Sequence, residues 1–149
     1  QIKPSGVVEE RFKGYKQALL EASLPFRKDF VCQHEMQIEK GIELGKKLAK
    51  RNDFTAVFAT ADILAAGIMS GLQQSGKRVP EDISIIGFDD MSLCQITTPT
   101  LTTIHQDATL KGELAVDFMI KRLEGVPVKR KEVILPVSLV IRDSVKSIK

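Results

Sequence analysis

Cysteine is scarce in this chain of 149 residues: Cys32 and Cys94 are the only two, and no CxxC spacing occurs. That excludes a disulfide-dense scaffold and points to free thiols in a reducing compartment, hence to a cytoplasmic protein. Long apolar runs are missing as well. No stretch approaches the ~18 residues a membrane span requires, and the first residues do not resemble a secretory signal. The chain opens QIKPSG rather than on methionine, so its true start is expected upstream. Charge of one sign is not in great excess: 22 Lys and Arg against 19 Asp and Glu leave a net +3. The one basic cluster, Lys129, Arg130 and Lys131, is too short for a nucleic-acid footprint and reads as a solvated loop. Internal repeats and low-complexity linkers are absent.

The common catalytic patterns are lacking too. No Ser sits in a G-x-S-x-G context, and no Cys–His arrangement can be argued from spacing. His34 and His105 have no ligand spacing with cysteine or carboxylate, so neither a metal nor a cofactor is expected. Gly71 to Lys77 reads G-x-x-x-x-G-K, the start of a phosphate-binding loop. Arg78 stands where Ser or Thr should hold magnesium, and the glycines lie late in a helix. The pattern is rejected.

What is present is ordinary globular material, 43% hydrophobic and 28% charged, enough for a core burying roughly two thirds of the unfolded surface. Val8, Phe12, Tyr15, Leu19 and Ala22 recur at helical steps, which predicts an amphipathic helix with Ser5 as N-cap. SLPFRKD breaks it, and FVCQ (30–33) reads as a short buried strand. A second helix follows, its stripe formed by Ile38, Ile42, Gly45 and Ala49 and widened by Leu44 and Leu48. TAVFAT (55–60) is a strand, DILAAGIMSGLQQSG a helix stopped by Gly76, and ISIIGF (83–88) the next strand. MSLCQITTPT is an irregular loop and LTTI (101–104) a strand. Asp107 caps a helix running to about Glu124, stopped by Gly125 and Pro127. EVIL and SLVIR close the chain as extended segments. Apolar strands alternating with helices predict a doubly wound α/β fold, a mainly parallel sheet with helices on both faces. The first helix has no strand before it.

In open α/β sheets ligands bind beyond the carboxyl ends of the strands. Those ends gather His34, Thr60, Asp62, Asp89, His105 and Gln106, with Arg11 in reach from the first helix. Carboxylates that accept from two hydroxyls, beside an Arg that donates in a fork, suit a hydroxyl-rich ligand such as a sugar. Asp62 and Asp107 also read as helix N-caps. Asp89 follows Phe88 and starts no helix, so it reads as a ligand contact.

These residues resemble the LacI/GalR family of bacterial transcription regulators, in the back half of the effector-binding region. The likeness is carried by VPEDISIIGFDD, TTPTLTTIHQD with Gly112, ERFKGYKQAL, FATADILAAGIMSGLQQSGKRVP and LVIRDS. It implies a periplasmic-binding-protein-like lobe, incomplete here, with a small-molecule effector, a sugar or sugar phosphate, in the cleft between two lobes. By position it implies effector contacts at Arg11, Met36, Asp62, Asp89 and Gln106. Ala61 replaces a polar residue before Asp62, and Met36 replaces an aromatic ring. Residues 1–106 and 130–149 would form the C-terminal lobe, and the helix within 107–129 would cross into the other. There the apolar face of Leu110, Leu114 and Phe118 would find its partners or be borrowed by a second copy, giving a homodimer. Operator DNA would be bound only through a headpiece outside this chain. A periplasmic sugar-binding protein of a transport system is the competing expectation, and a sugar-modifying enzyme a distant third.

Overall fold

The computed structural model describes residues 6–127 and 132–147. The chain divides into two compact units, Gln1–Met36 and Gln37–Lys149. The expected N-cap Ser5 and the basic cluster 129–131 lie outside the described residues.

The first unit holds α1 (Gly6–Glu21) and a single 3₁₀ turn, Lys28–Phe30. Most of the periodicity read from the sequence is present: Val8, Phe12, Tyr15 and Leu19 are half-buried, whereas Ala22 lies just past the helix end and is exposed. Phe12 meets Phe26 edge-on, with ring centroids 5.9 Å apart. The strand expected at 30–33 does not form. Strand structure is a property of a pair, and no described strand of this unit lies beside it. The segment satisfies itself locally instead. Phe30 and Val31 N–H groups bond back to the Arg27 and Lys28 carbonyls, and the Arg27 guanidinium stacks on the Phe30 ring at 3.9 Å.

The second unit runs α2 (Ile38–Leu48), β1 (Ala56–Phe58), α3 (Asp62–Gln74), β2 (Ser84–Asp89), β3 (Thr102–Gln106), α4 (Ala108–Leu123) and β4 (Val137–Val140). The sheet order is β1-β2-β3-β4. The first two pairings are parallel, with Val57 opposite Ile85 and Gly87 opposite Thr103. β4 closes the edge antiparallel, Leu139 opposite Ile104. The mainly parallel sheet is therefore as expected. The β1–β2 crossover is α3, whereas β2 reaches β3 through a loop holding one 3₁₀ turn, Ser92–Gln95. EVIL (132–135) pairs with no strand among the described residues, and β4 begins only at Val137.

The face of β2 that carries Ile85 and Gly87 is covered by α3, and Leu64, Ile68, Leu72, Ile85, Cys94 and Leu101 form the centre of the core. The opposite face, with Ile86, Phe88 and Ile104, is half-buried. α2 packs on α3 through glycine. A Cβ on Gly41 would lie 2.7 Å from the Leu64 carbonyl and 2.9 Å from Gly67 Cα, and one on Gly45 would lie 2.9 Å from Gly71 Cα. Two G-x-x-x-G stripes thus face each other, and the backbones approach more closely than side chains would allow. Of the expected stripe Leu44 and Gly45 are buried and Ile42, Leu48 and Ala49 half-buried, while Ile38 is exposed; Gly41, outside that stripe, is buried against Gly67. The close approach also explains Gly71, which the rejected phosphate-loop pattern contained.

α3 ends as the sequence indicates. Gly76 adopts φ +82°, and the N–H groups of Gly76 and Lys77 return to the carbonyls of Gln73 and Leu72, both at 3.0 Å. Asp107 caps α4, accepting from the Leu110 N–H at 2.8 Å. No residue of α4 is buried.

Candidate functional site

The carboxyl ends of β1, β2 and β3 bring together part of the expected constellation. Asp62 is the first helical residue of α3, but the cap position is taken by Ala61, whose backbone is extended. The capping role expected for Asp62 is therefore corrected. Its side chain is fully buried, with Oδ2 accepting from the Met91 N–H at 2.8 Å and Oδ1 from the Thr103 hydroxyl at 2.5 Å. A buried carboxylate is tolerable only with such donors, and these tie α3 to β3 and to the loop after β2. Gly87 makes room for it, since a Cβ there would collide with the Asp62 carboxylate. Cys94 lies in the same interior. Burial, and then a hydrogen bond to Asp62, push its thiol up to about 12, so it is inert.

Asp89 is the last residue of β2. Its carboxylate accepts from Gln106 Nε2 at 2.6 Å, which joins the ends of two strands. Asp89 and Asp90 both have positive φ, +119° and +54°. Such backbone costs a residue with a Cβ about 1–3 kcal/mol and concentrates at functional sites. Asp90 is held on both carboxylate oxygens. Its Oδ1 accepts from the Arg142 guanidinium at 2.7 Å and its Oδ2 from His105 Nδ1 at 3.0 Å, which puts the ring proton on Nδ1. Burial opposes the charge on Asp90, but the hydrogen bonds from Arg142 and then His105 outweigh it and hold its carboxyl below the ordinary range.

Thus Asp62, Asp89 and Gln106 lie at one edge of the second unit, with His105 beside them. Arg11, half-buried on α1, and Met36, exposed just ahead of α2, lie in the first unit. His34 is exposed there too. The roles of Asp90 and Arg142 went unread. Arg142 was visible only as the arginine of LVIRDS, and nothing in the spacing pairs it with an acid 52 positions earlier. Among the described residues no group of three His, Cys, Asp or Glu is placed to hold a metal ion. Chemically, a carboxylate hydrogen-bonded to an amide at a strand end offers acceptors to hydroxyl groups.

The family described as "Periplasmic binding protein-like domain" matches residues 3–145. The HTH-type transcriptional repressor PurR of Vibrio vulnificus (strain CMCP6) is 36% identical over 141 residues, 94% of this chain and 42% of that protein. The ribose operon repressor of Haemophilus influenzae (strain ATCC 51907 / DSM 11121 / KW20 / Rd) is 33% identical over 144 residues, 96% of this chain and 43% of that protein. The chain therefore spans about two fifths of the length of these curated relatives. Among solved structures, a LacI family transcriptional regulator from Enterococcus faecium with bound ribose superposes with a TM-score of 0.84 at 32% identity, covering 95% of this chain and 53% of that one. The match falls on the effector-binding region of LacI/GalR regulators.

Proposed function

The chain belongs to the periplasmic binding protein-like domain family, and we propose that it forms the effector-binding and dimerisation portion of a LacI-type transcription regulator whose ligand is a sugar or sugar phosphate. The observation that carries this reading is Asp89: an acid at the end of a central parallel strand, in left-handed backbone, hydrogen-bonded to Gln106. The Haemophilus relative is named for ribose and the Enterococcus structure holds it, which supports a hydroxyl-rich ligand.

In this reading Arg11, Met36, Asp89 and Gln106 contact the effector, and Asp62 supports them from the interior. Residues 1–106 and 130–149 form one lobe. The segment 107–129 crosses to the other, as the absence of any buried residue on α4 supports. The ligand bridges both lobes, favours the closed arrangement, and shifts the population between forms with different operator affinity. A homodimer matches this to half-sites about one DNA turn apart, through a DNA-binding headpiece beyond this chain. No chemical step is assigned to the site. The protein acts in the cytoplasm, in keeping with its two free cysteines. A transport binding protein would share the fold, but the relatives described above are repressors.

Calorimetric titration of ribose, other sugars and their phosphates, into the protein and into Asp89→Ala, tests the reading. Affinity for one sugar that falls at least about tenfold in a folded variant is expected, from the loss of a charge-assisted hydrogen bond. Equal binding by both proteins, or no sugar bound, overturns it.

A further inference from the structure

Asp89 and Asp90 form an unusual pair: two consecutive residues with side chains, both in left-handed backbone. Aspartate tolerates that conformation when its carboxylate finds local partners. Asp90 has one on each oxygen, Arg142 and His105, and the side chains of Asp90 and Arg142 are only 18% and 15% exposed. Arg142 is itself fixed. Its other guanidinium nitrogen donates to the Leu101 carbonyl at 2.8 Å, and its backbone N–H to the Thr102 hydroxyl at 2.9 Å. On the other side, the Met91 N–H is held by Asp62, and the Thr103 hydroxyl, which donates to Asp62, faces the Asp90 N–H at 3.4 Å. Residues 90 and 91 are thus gripped between a cation that follows β4 and an anion on the first turn of α3. Asp89 is the residue immediately before this grip, and its carboxylate meets Gln106 at 2.6 Å.

We propose that Asp90 is a positioning residue: clamped by Arg142 and His105, it holds the left-handed turn that presents Asp89 to Gln106 as a preformed binding pair. The importance of that pair rests on the function proposed above; the coupling itself does not. The two adjacent acids then divide the work, Asp89 meeting the ligand and Asp90 meeting the protein. Arg142, although cationic and near the site, is committed to Asp90 and is not an anchor for an anionic ligand. Preorganisation of this kind lowers the ordering cost of binding rather than adding a contact.

The test is the Gln106 side-chain amide, observed by NMR in ¹⁵N-labelled protein without ligand. In Asp90→Ala, which has neither the carboxylate nor aspartate's tolerance of positive φ, the Gln106 amide signals should move towards solvent-exposed positions. Their hydrogen exchange should quicken by about tenfold or more, as for a locally opened group. In Asp90→Asn, which tolerates the same backbone and still offers a carbonyl to Arg142, both should return most of the way. Unchanged Gln106 signals in a folded Asp90→Ala, or no return in Asp90→Asn, overturn the proposal, because a purely stabilising role would lower the melting temperature without moving Gln106. Should Asp90→Ala not fold, Arg142→Lys carries the test: it keeps the charge and loses the fork, and an unmoved Gln106 there is equally fatal. Sugar titration into the unaltered protein is a separate arm. Failure to bind any sugar removes the ligand reading and leaves the Gln106 result standing, whereas unmoved signals with sugar bound remove only the positioning role.

Discussion

α3 and α4 are built by the same local rules and buried to opposite extents. Each is an apolar-rich helix closed by a left-handed glycine, Gly76 and Gly125. The Lys77 N–H returns to the Leu72 carbonyl after α3, and the Val126 N–H to the Lys121 carbonyl after α4. Yet α3 buries most of its length, from Asp62 to Leu72, whereas α4 has no fully buried residue: Leu114 and Phe118 are half-buried, and Val116, Met119, Ile120 and Leu123 are exposed. Caps decide where a helix begins and ends; only tertiary contact decides what it is for. The core of this unit is completed by α3, and α4 carries an apolar surface outward, where the proposed second lobe or second copy would meet it.

The largest break in that contrast is made at the glycines under α3. A Cβ on Gly71 would collide with the Ile42 carbonyl and lie 3.0 Å from Gly45 Cα. The obstacle is backbone, which cannot rotate aside as a side chain can. Gly71→Val should therefore destabilise the protein by about 3 kcal/mol or more, at the upper end of overpacking effects. Urea denaturation reads this directly, and a loss below about 1 kcal/mol would mean that the two helices separate easily.

That closeness also shows how far the sequence could be read. Asp107 as a cap and Gly76 and Gly125 as stops were legible because capping is settled within a few residues. The parallel strands 55–60, 83–88 and 101–104 were legible as apolar runs between helices. The periodicity of α2 marks Leu44 and Gly45 as buried, but that Gly41 and Gly45 face Gly67 and Gly71 is a fact about two helices, which the spacing within one of them does not carry. FVCQ failed for a similar reason, since its composition suits a strand but no described strand of its own unit lies beside it. At the candidate site, the strand-end positions of Asp89 and Gln106 were legible from the apolar runs before them. Asp62 was misread as a cap because its donors, Met91 and Thr103, are 29 and 41 positions away. Asp90 was passed over because its cation follows the last strand.

A smaller effect separates the exits of the two helices. Beyond α3, Asp82 is held by Arg78, whose guanidinium and backbone N–H donate at 2.9 and 2.8 Å. The Arg78 side chain, then its backbone N–H, lower the Asp82 carboxyl from 3.8 to about 2. A group more acidic folded than unfolded favours the fold above its unfolded pKa, and that contribution fades as pH falls through its folded one. The turn between α3 and β2 should keep this pairing until the pH drops between about 4 and 2. Near α4 the corresponding pair, Lys121 with Asp117, stays on the helix itself and fastens it to nothing else. A ¹³C titration of the Asp82 carboxyl should show a midpoint near 2 that rises in Arg78→Ala; a midpoint near 4 in the unaltered protein would show the pair to be loose.

The smallest expected effect is the most informative about α4. Met119 is 58% exposed, on a helix with no buried residue. Met119→Lys removes no internal contact that matters to the unit, keeps a good helix former, and should change unfolding stability by no more than about 0.5 kcal/mol. The same substitution places a charge on the surface assigned to a partner, where an unpaired charge is costly to bury. Static light scattering at rising concentration should therefore show weaker self-association in Met119→Lys while thermal unfolding hardly moves. A melting temperature several degrees lower would put α4 inside the unit and erase its contrast with α3. Unchanged association would take Met119 out of the contact between copies and leave the exposed side of α4 to the second lobe alone.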